Sequence, residues 1–439
     1  MTILDLSIEL TQEEREVLQG KQGPTMRKVM ETVVLYGQAL GADRLVNIDG
    51  DGHFVIAYAV PGIAPSMEML DELVAAGLKS RLPFTLDPKP PLDYENWFLS
   101  SEQIRLLDEM YRDQPRYDER MLQLGLRGPD AWTCTPYLPQ VGNRPGRGDN
   151  LAWSESACVI FANSVLGART NRNGAIMDLL CALVGKVPLA GLLTDEGRQA
   201  SWLIEVQTGG LPAPQLLGAA IGRRVLADVP FIVGLDRLLG TELNEETWDY
   251  LHEMGAACAT AGAVGLFHVE GITPEARDLG RDLLAGDHRS YVIDDRELED
   301  LLASYPVLWA DREAPPDKCF IGCPHLSLRQ LHWWADRLHS ALQRRGQSRL
   351  GVKTTLCAAP QVLAAFRRDR PACDRLEQTG ARLSAGCPMQ LFDNDLSAGE
   401  AIVTNSNKLR AYTEARFLPD EKLVEVLVRG EVGQVPTIG

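Results

Sequence analysis

The sequence lacks a cationic surplus. Its 439 residues carry 44 Lys and Arg against 60 Asp and Glu, a formal charge of −16. A nucleic-acid or anionic-membrane surface needs a basic face to displace counterions, so neither partner is expected. An anionic small substrate stays compatible, because a local pocket of Arg and Lys can oppose the global charge. Long apolar runs are missing as well. The most apolar segment, near 255–269 (GAACATAGAVGLFHV), is too short and too rich in small residues to span a bilayer. The opening MTILDLSIELTQEEREV has no basic stretch leading into an apolar one, so no secretory leader is read there and a cytoplasmic protein is expected. There is no Gly-rich P-loop, dinucleotide fingerprint, zincin helix or Gly-x-Ser-x-Gly elbow; Gly50-Asp51-Gly52 lacks the rest of a nucleotide motif. Nine scattered cysteines, an odd number in a large chain, fit reduced thiols and not a disulfide framework.

What the chain does contain is an ordinary globular balance, 45% hydrophobic and 24% charged. Its length suggests two or three domains or one large lobed unit. Thr11 with Glu14 three residues on is a capping box, so a helix is expected from Gln12. Helices are also read at 25–41, 67–77, 101–112, 153–165, 214–227, 245–262, 327–344 and 360–369. Strands are read at 44–48, 54–60, 202–207, 229–235 and 263–269, with short apolar runs at 352–356 and 400–403, and a proline-rich loop at 83–92. This alternation predicts an α/β architecture with a largely parallel sheet. Stretches at 139–150, 313–318 and 344–350 are the boundary candidates, which would divide the chain into lobes of about 1–145, 146–345 and 346–439.

Several segments combine small residues, polar groups and turns where a core would want bulk. Thr133-Cys134-Thr135-Pro136-Tyr137 sets a thiol before a proline, on a loop. Gly322-Cys323-Pro324-His325 again puts a thiol on a turn, with Ser327 placed to cap the next helix. Gly386-Cys387-Pro388 is a third such turn. Each cysteine taken singly is as readily structural, since free cysteine is among the most buried residues. Three thiolates from distant loops in one reduced chain fit a cluster that leaves one iron open as a Lewis acid. Cys158, Cys181 and Cys258 sit on apolar helical segments and read as core. Cys319 with Cys323 and His325 hints at zinc, but no second ligand pair matches.

Polar strings accompany the thiols. Ala152-Trp153-Ser154-Glu155-Ser156 leads into a helix, and Asn163-Ser164-Val165-Leu166-Gly167-Ala168-Arg169-Thr170-Asn171-Arg172 would present amides, a hydroxyl and guanidinium groups around its end, a suitable place for a carboxylate or phosphate. Phe267-His268-Val269-Glu270-Gly271 reads as the carboxyl end of a strand, where α/β proteins place ligands. Thr404-Asn405-Ser406-Asn407-Lys408 offers hydroxyls, amides and a cation on one loop.

Together these strings, in this order and over most of the chain, resemble the aconitase X proteins of the aconitase superfamily. The resemblance implies an aconitase-like lobed α/β fold and an iron–sulfur dehydratase whose cluster cysteines map to Cys134, Cys323 and Cys387. It also implies a small swivelling β-rich domain, fused in some members and a separate subunit in others. The present chain ends soon after Lys408, so the two-subunit form is expected, with a partner supplying a serine base. The family's Ser-Ala-His segment reads Gly50-Asp51-Gly52-His53 here, which keeps His53 without its hydroxyl-bearing neighbour.

The reaction expected on this basis is elimination of water from a small hydroxy acid. Glu155, His268 and His325 are the candidates for proton transfer or tuning. His53, Ser156, Asn163, Ser164, Arg169, Lys353, Ser406 and Lys408 are the candidates for holding substrate. The family's substrates are cis-3-hydroxy-L-proline, favoured here for an Ala/Arg/Gly-rich composition of bacterial type, and mevalonate 5-phosphate, for which Arg172, Lys186 and Lys353 offer extra cations. Three thiolates suit a 4Fe–4S cluster, a 2Fe–2S centre or a single iron. The rival readings are an iron-sensing or interaction protein on a dehydratase scaffold, and a zinc-dependent lyase.

Overall fold

Local signals set the helices before any packing does. Thr11 Oγ1 accepts from the Glu14 amide while Glu14 returns a bond to Thr11, and helix Gln12–Leu18 follows. The same reciprocal cap starts Ser101–Met110 at Ser100/Gln103 and Leu328–Arg344 at Ser327/Gln330. The structure, a computed structural model, describes residues 7–55, 64–389 and 399–432. Among them no helix is long and apolar enough to cross a membrane.

Thirteen strands are described: β1 Leu45–Asn47, β2 Gly52–Phe54, β3 Phe84–Leu86, β4 Lys186–Pro188, β5 Ala200–Gln207, β6 Pro230–Val233, β7 His268–Val269, β8 Leu284–Asp294, β9 Lys318–Leu326, β10 Lys353–Ala358, β11 Arg382–Ser384, β12 Ile402–Thr404 and β13 Arg416–Phe417. They make two larger sheets, ordered β7-β6-β5-β8 and β11-β10-β9-β12-β13, and both are parallel throughout. β2 and β3 form a small parallel pair, extended by single bridges from Trp153 to His53 and from Trp132 to Leu86. Parallel strands need crossover connections, and helices such as Pro214–Val225, Glu245–Ala261 and Leu328–Arg344 supply them, burying apolar faces against the sheets. The α/β class with parallel sheets is therefore what the alternation predicted.

Four local expectations change. The proline-rich loop at 83–92 contains strand β3. The expected strand 54–60 is described only through Phe54, as part of β2, and residues 56–60 lie outside the described residues. The expected strand 263–269 shrinks to His268–Val269, because the backbone before it is satisfied by side chains. Asn163 Nδ2 donates to the Gly265 carbonyl at 2.8 Å and the Phe267 amide donates to Ser164 Oγ at 2.9 Å. Finally, Cys323 is not on a free turn. It lies within β9, whose pairing with β10 runs in register to Ile321↔Leu356 and resumes at Leu326↔Ala358. The intervening residues bulge out of the sheet. Gly322 makes that bulge fit, with φ 99° and a space where a Cβ would stand 2.3 Å from the Cys357 carbonyl oxygen.

Candidate functional site

The five-stranded sheet brings most of the sequence strings to one edge. Cys323 lies in the carboxyl half of β9, Cys387 just beyond β11, and Ser406 and Lys408 just beyond β12. The carboxyl edge of a parallel sheet is where this architecture leaves a crevice for ligands. Cys134 reaches the same place from the other side. The Thr133 amide donates to the Leu86 carbonyl at 2.7 Å, which docks the Thr-Cys-Thr loop on β3. The His325 amide then donates to Cys134 Sγ at 3.2 Å.

Of the nine cysteines, Cys134, Cys323 and Cys387 are partly exposed, while the other six are buried. Each of the three is held by its loop. Cys158 Sγ donates to the Cys134 carbonyl at 3.1 Å, Gln215 Nε2 donates to the Cys323 carbonyl at 3.4 Å, and the Cys387 amide donates to the Lys89 carbonyl at 2.8 Å. Gly386 permits the last approach, since a Cβ there would meet the Trp97 ring at 2.8 Å. Desolvation pushes the Cys134 and Cys323 thiols up, and the carboxyl groups of Asp87 and Glu155 add to it. At Cys323, Lys408 and a hydrogen bond with Ser406 oppose the rise. Protonated thiols of this kind become ligands by exchanging their protons for a metal.

His325 is locked between the cysteine loops. Its Nδ1 lies 3.3 Å from Thr133 Oγ1, itself 2.9 Å from Thr135 Oγ1, and its Nε2 lies 3.5 Å from the Gly386 carbonyl. Burial lowers its pKa to about 4, with the Gly386 contact opposing, so the ring is neutral. Glu155 caps helix Ser156–Phe161 by accepting from the Cys158 amide at 2.7 Å, and Lys408 Nζ donates to its Oε1 at 2.6 Å. Burial alone would raise the Glu155 pKa, but Lys408 and the Cys158 amide bring it down to about 2. The carboxylate is thus a fixed charge and not a proton donor at neutral pH. Ser156 Oγ lies within 3.5 Å of the same ammonium, and Ser406 Oγ accepts from the Leu409 amide to start the helix that carries Lys408.

Asn163, Ser164, Arg169 and His268 gather elsewhere, around the buried Arg198. Arg198 holds Glu275 through two bonds, of 2.8 and 2.9 Å, and donates to Asn163 Oδ1 and to the Asn163 and Leu192 carbonyls. His268 Nε2 contacts the Arg198 carbonyl at 2.9 Å, and Arg169 pairs with Asp195 and donates to the Leu193 carbonyl. These groups are committed to the protein, so the string expected to clamp an anion instead stitches a π-helical turn (162–166) to its surroundings. Lys353 is exposed at the start of β10, the opposite end of that strand from Cys357. Of the other cations considered, Lys186 pairs with Glu14 at 2.6 Å and Arg172 donates to the Ala259 carbonyl.

Sequence reasoning missed Asp87 and Gln215. Asp87 sits in the proline-rich segment beside Cys134, Cys323 and Lys408; burial pushes its carboxyl well above the usual carboxylate range, Glu155 adds to the rise and Lys408 opposes it. Gln215 bridges two loops of the site, donating to Cys323 and accepting from the Asn407 amide at 3.0 Å. Neither carries a local motif; only the tertiary fold brings them here.

Comparison with known proteins agrees with this architecture. Models of the aconitase X first and second domains match residues 7–196 and 200–303. The crystal structure of the holo-form of Thermococcus kodakaraensis aconitase X superposes with a TM-score of 0.78 at 30% identity, covering 95% of this chain and 99% of that one. The chain belongs to the aconitase X family. Its relatives include the phosphomevalonate dehydratase large subunit of Thermococcus kodakarensis, 36% identical over 75% of this chain and 77% of the relative, and that of Methanothermobacter thermautotrophicus, 31% identical over 90% and 87%. The cis-3-hydroxy-L-proline dehydratase of Pseudomonas aeruginosa is 30% identical over 95% of this chain and 69% of its own length. The activity is accordingly that of a hydro-lyase, a dehydratase.

Among the described residues, no three His, Cys, Asp or Glu side chains are grouped to hold a single metal ion. One ion with bonds of about 2.3 Å to sulfur needs its ligands within roughly 4 Å of one another. Cys134, Cys323 and Cys387, partly exposed on loops that meet at His325, are the residues with the donor chemistry to hold a metal group.

Proposed function

We propose that this chain is the large subunit of a two-subunit iron–sulfur dehydratase that eliminates water from a small hydroxy acid. The observation that carries the reading is the meeting of the three cysteine loops at His325, at the carboxyl edge of a parallel sheet, with Lys408 and its partner Glu155 beside Cys323. Cys134, Cys323 and Cys387 would hold the cluster. An iron–sulfur cluster with one iron not ligated by protein supplies a Lewis acid toward the departing hydroxyl.

The chain's own residues do the rest of the positioning. Lys408, with Ser406 and Ser156 nearby, fixes the substrate's carboxylate, while Glu155 keeps the lysine charged and aimed. Neutral His325, pinned by Thr133 and Gly386, holds the Cys134 and Cys387 loops at a set separation. The base that removes the carbon-bound proton comes from the small subunit. The relatives named as large subunits support this division.

For the substrate, cis-3-hydroxy-L-proline is the first reading. The Glu155 carboxylate beside the Lys408 ammonium supports this choice, a pair that matches a zwitterion with one cationic and one anionic end. A phosphate dianion would enter against the ionised Glu155 carboxylate. Mevalonate 5-phosphate is the second reading, and the 36% and 31% identities to phosphomevalonate dehydratase subunits favour it. Anaerobic co-purification with the small subunit, followed by dehydration assays on both compounds, tests the proposal. Turnover of one compound is expected, and turnover of neither would refute the reading.

A further inference from the structure

We propose that His53 and Asp87 form a two-point reader of the substrate's hydroxyl group, an inference that rests on the dehydratase reading above. The two residues are set by the small parallel pair. His53 lies on β2 in register with Thr85 of β3, and the Asp87 amide continues the ladder by donating to the Phe54 carbonyl at 3.0 Å. This puts His53 Nε2 and Asp87 Oδ1 3.8 Å apart. Both atoms are buried and neither has a hydrogen-bond partner among the described residues. Folded proteins rarely leave such groups unpaired, because removing them from water without a replacement partner is costly.

Opposite hydrogen-bonding character makes the gap specific. Asn143 Nδ2 donates to Thr85 Oγ1 at 2.9 Å, and the Thr85 hydroxyl lies 2.9 Å from His53 Nδ1 but 3.5 Å from the Gly52 carbonyl. Thr85 therefore donates to Nδ1, which leaves the proton of the neutral ring on Nε2. An N–H donor thus faces a carboxyl group across a distance too long for a direct bond. One oxygen at about 2.8 Å from each atom would satisfy both. Burial holds the Asp87 carboxyl well above the usual carboxylate range, and a hydroxyl suits either of its forms with a single atom, accepting from His53 while donating to the carboxylate or accepting from the acid. An ammonium in that place could not accept from His53. The pair borders the thiols: the Asp87 carboxyl is close enough to both Cys134 and Cys323 to push their thiols up, and His53 packs edge-on to Trp153, two residues before Glu155.

The test compares ligands that differ by one hydroxyl. The complete complex, assembled anaerobically with its small subunit, is titrated calorimetrically with cis-3-hydroxy-L-proline against L-proline, and with mevalonate 5-phosphate against its 3-deoxy analogue. The wild type is expected to prefer the hydroxylated member of one pair. Asp87→Leu and His53→Phe should each weaken that ligand about 10–100-fold and shift the deoxy analogue less than about 3-fold. Asp87→Asn, which keeps a carbonyl acceptor, should recover part of the loss. Circular dichroism establishes folding, and Asp87→Asn with His53→Phe carries the test if Asp87→Leu does not fold. An unchanged hydroxy-to-deoxy ratio in the folded variants, with the wild type active, would mean that the gap holds only a structural water, and would overturn this inference alone. A wild-type complex that dehydrates neither compound would bring down the functional reading and this inference with it.

Discussion

The ammonium of Lys408 donates to Glu155 Oε1 at 2.6 Å, tying the loop after β12 to the cap of a helix 253 residues earlier. The side chains are 16% and 2% exposed, so the pair is largely withdrawn from water. Removing one partner leaves the other buried and uncompensated, which typically costs about 3–5 kcal/mol. Glu155→Gln and Lys408→Met are each expected to lower stability by about 3 kcal/mol in urea denaturation. The double variant should lose less than the sum of the two. Additive losses would show that the two charges do not depend on each other.

The cysteine assignment makes a sharper contrast. Cys134→Ser, Cys323→Ser and Cys387→Ser should each reduce bound iron and sulfide to a small fraction of wild type after anaerobic reconstitution. Cys181→Ser, at a buried helical position, should leave both unchanged. Equal retention of iron across all four variants would remove the three thiols from the site.

Much of this arrangement was legible in the sequence because it rests on local chemistry. Thr11/Glu14 and Ser327 announce their helices, and β–α alternation announces parallel sheets. The thiol turns and the Thr-Asn-Ser-Asn-Lys loop have unusual compositions that mark them wherever they fold. What the sequence did not reveal depends on tertiary partners. Asn163, Ser164 and Arg169 look like a ligand clamp until Arg198, the Phe267 amide, and Asp195 with the Leu193 carbonyl take up their hydrogen bonds, and His268 looks free to move protons until it meets the Arg198 carbonyl. Asp87 looks like a turn residue until β3 pairs with β2 and turns it toward His53. Cys323 reads as a turn residue because a bulge inside a strand has the same local signature, glycine and proline, as a turn.

The Arg198 cluster predicts a separation between scaffold and surface. Arg198→Ala leaves Glu275 and Asn163 without their partner in a buried setting, and about 3 kcal/mol of stability should be lost. Arg169→Ala breaks a pair with Asp195, whose side chain is 90% exposed, and should cost less than about 1 kcal/mol. If Arg169→Ala instead raises KM steeply with stability intact, Arg169 does contact substrate and the clamp returns.

Acid should expose the buried imidazoles. Burial holds His252 neutral, down to a pKa of about 3, although Glu155 pulls the other way. The unfolded imidazole titrates near 6.5, so between that pH and about 3 the unfolded chain binds the extra proton. The neutral ring's full contribution is therefore present above pH 6.5 and is lost progressively as pH falls. His252→Phe should remove this component, making thermal stability fall less steeply than wild type between pH 6.5 and 4.5. Parallel curves for the two proteins would show that His252 is protonated or solvated in the fold.

Titrating the small subunit into this chain, with its iron and sulfide reconstituted, tests the central claim most directly. The initial rate of water elimination is the readout. The account predicts no turnover by this chain alone, a rate that rises linearly with added small subunit, and saturation at one small subunit per chain. Full activity without the small subunit would contradict it, since the base would then have to lie on this chain.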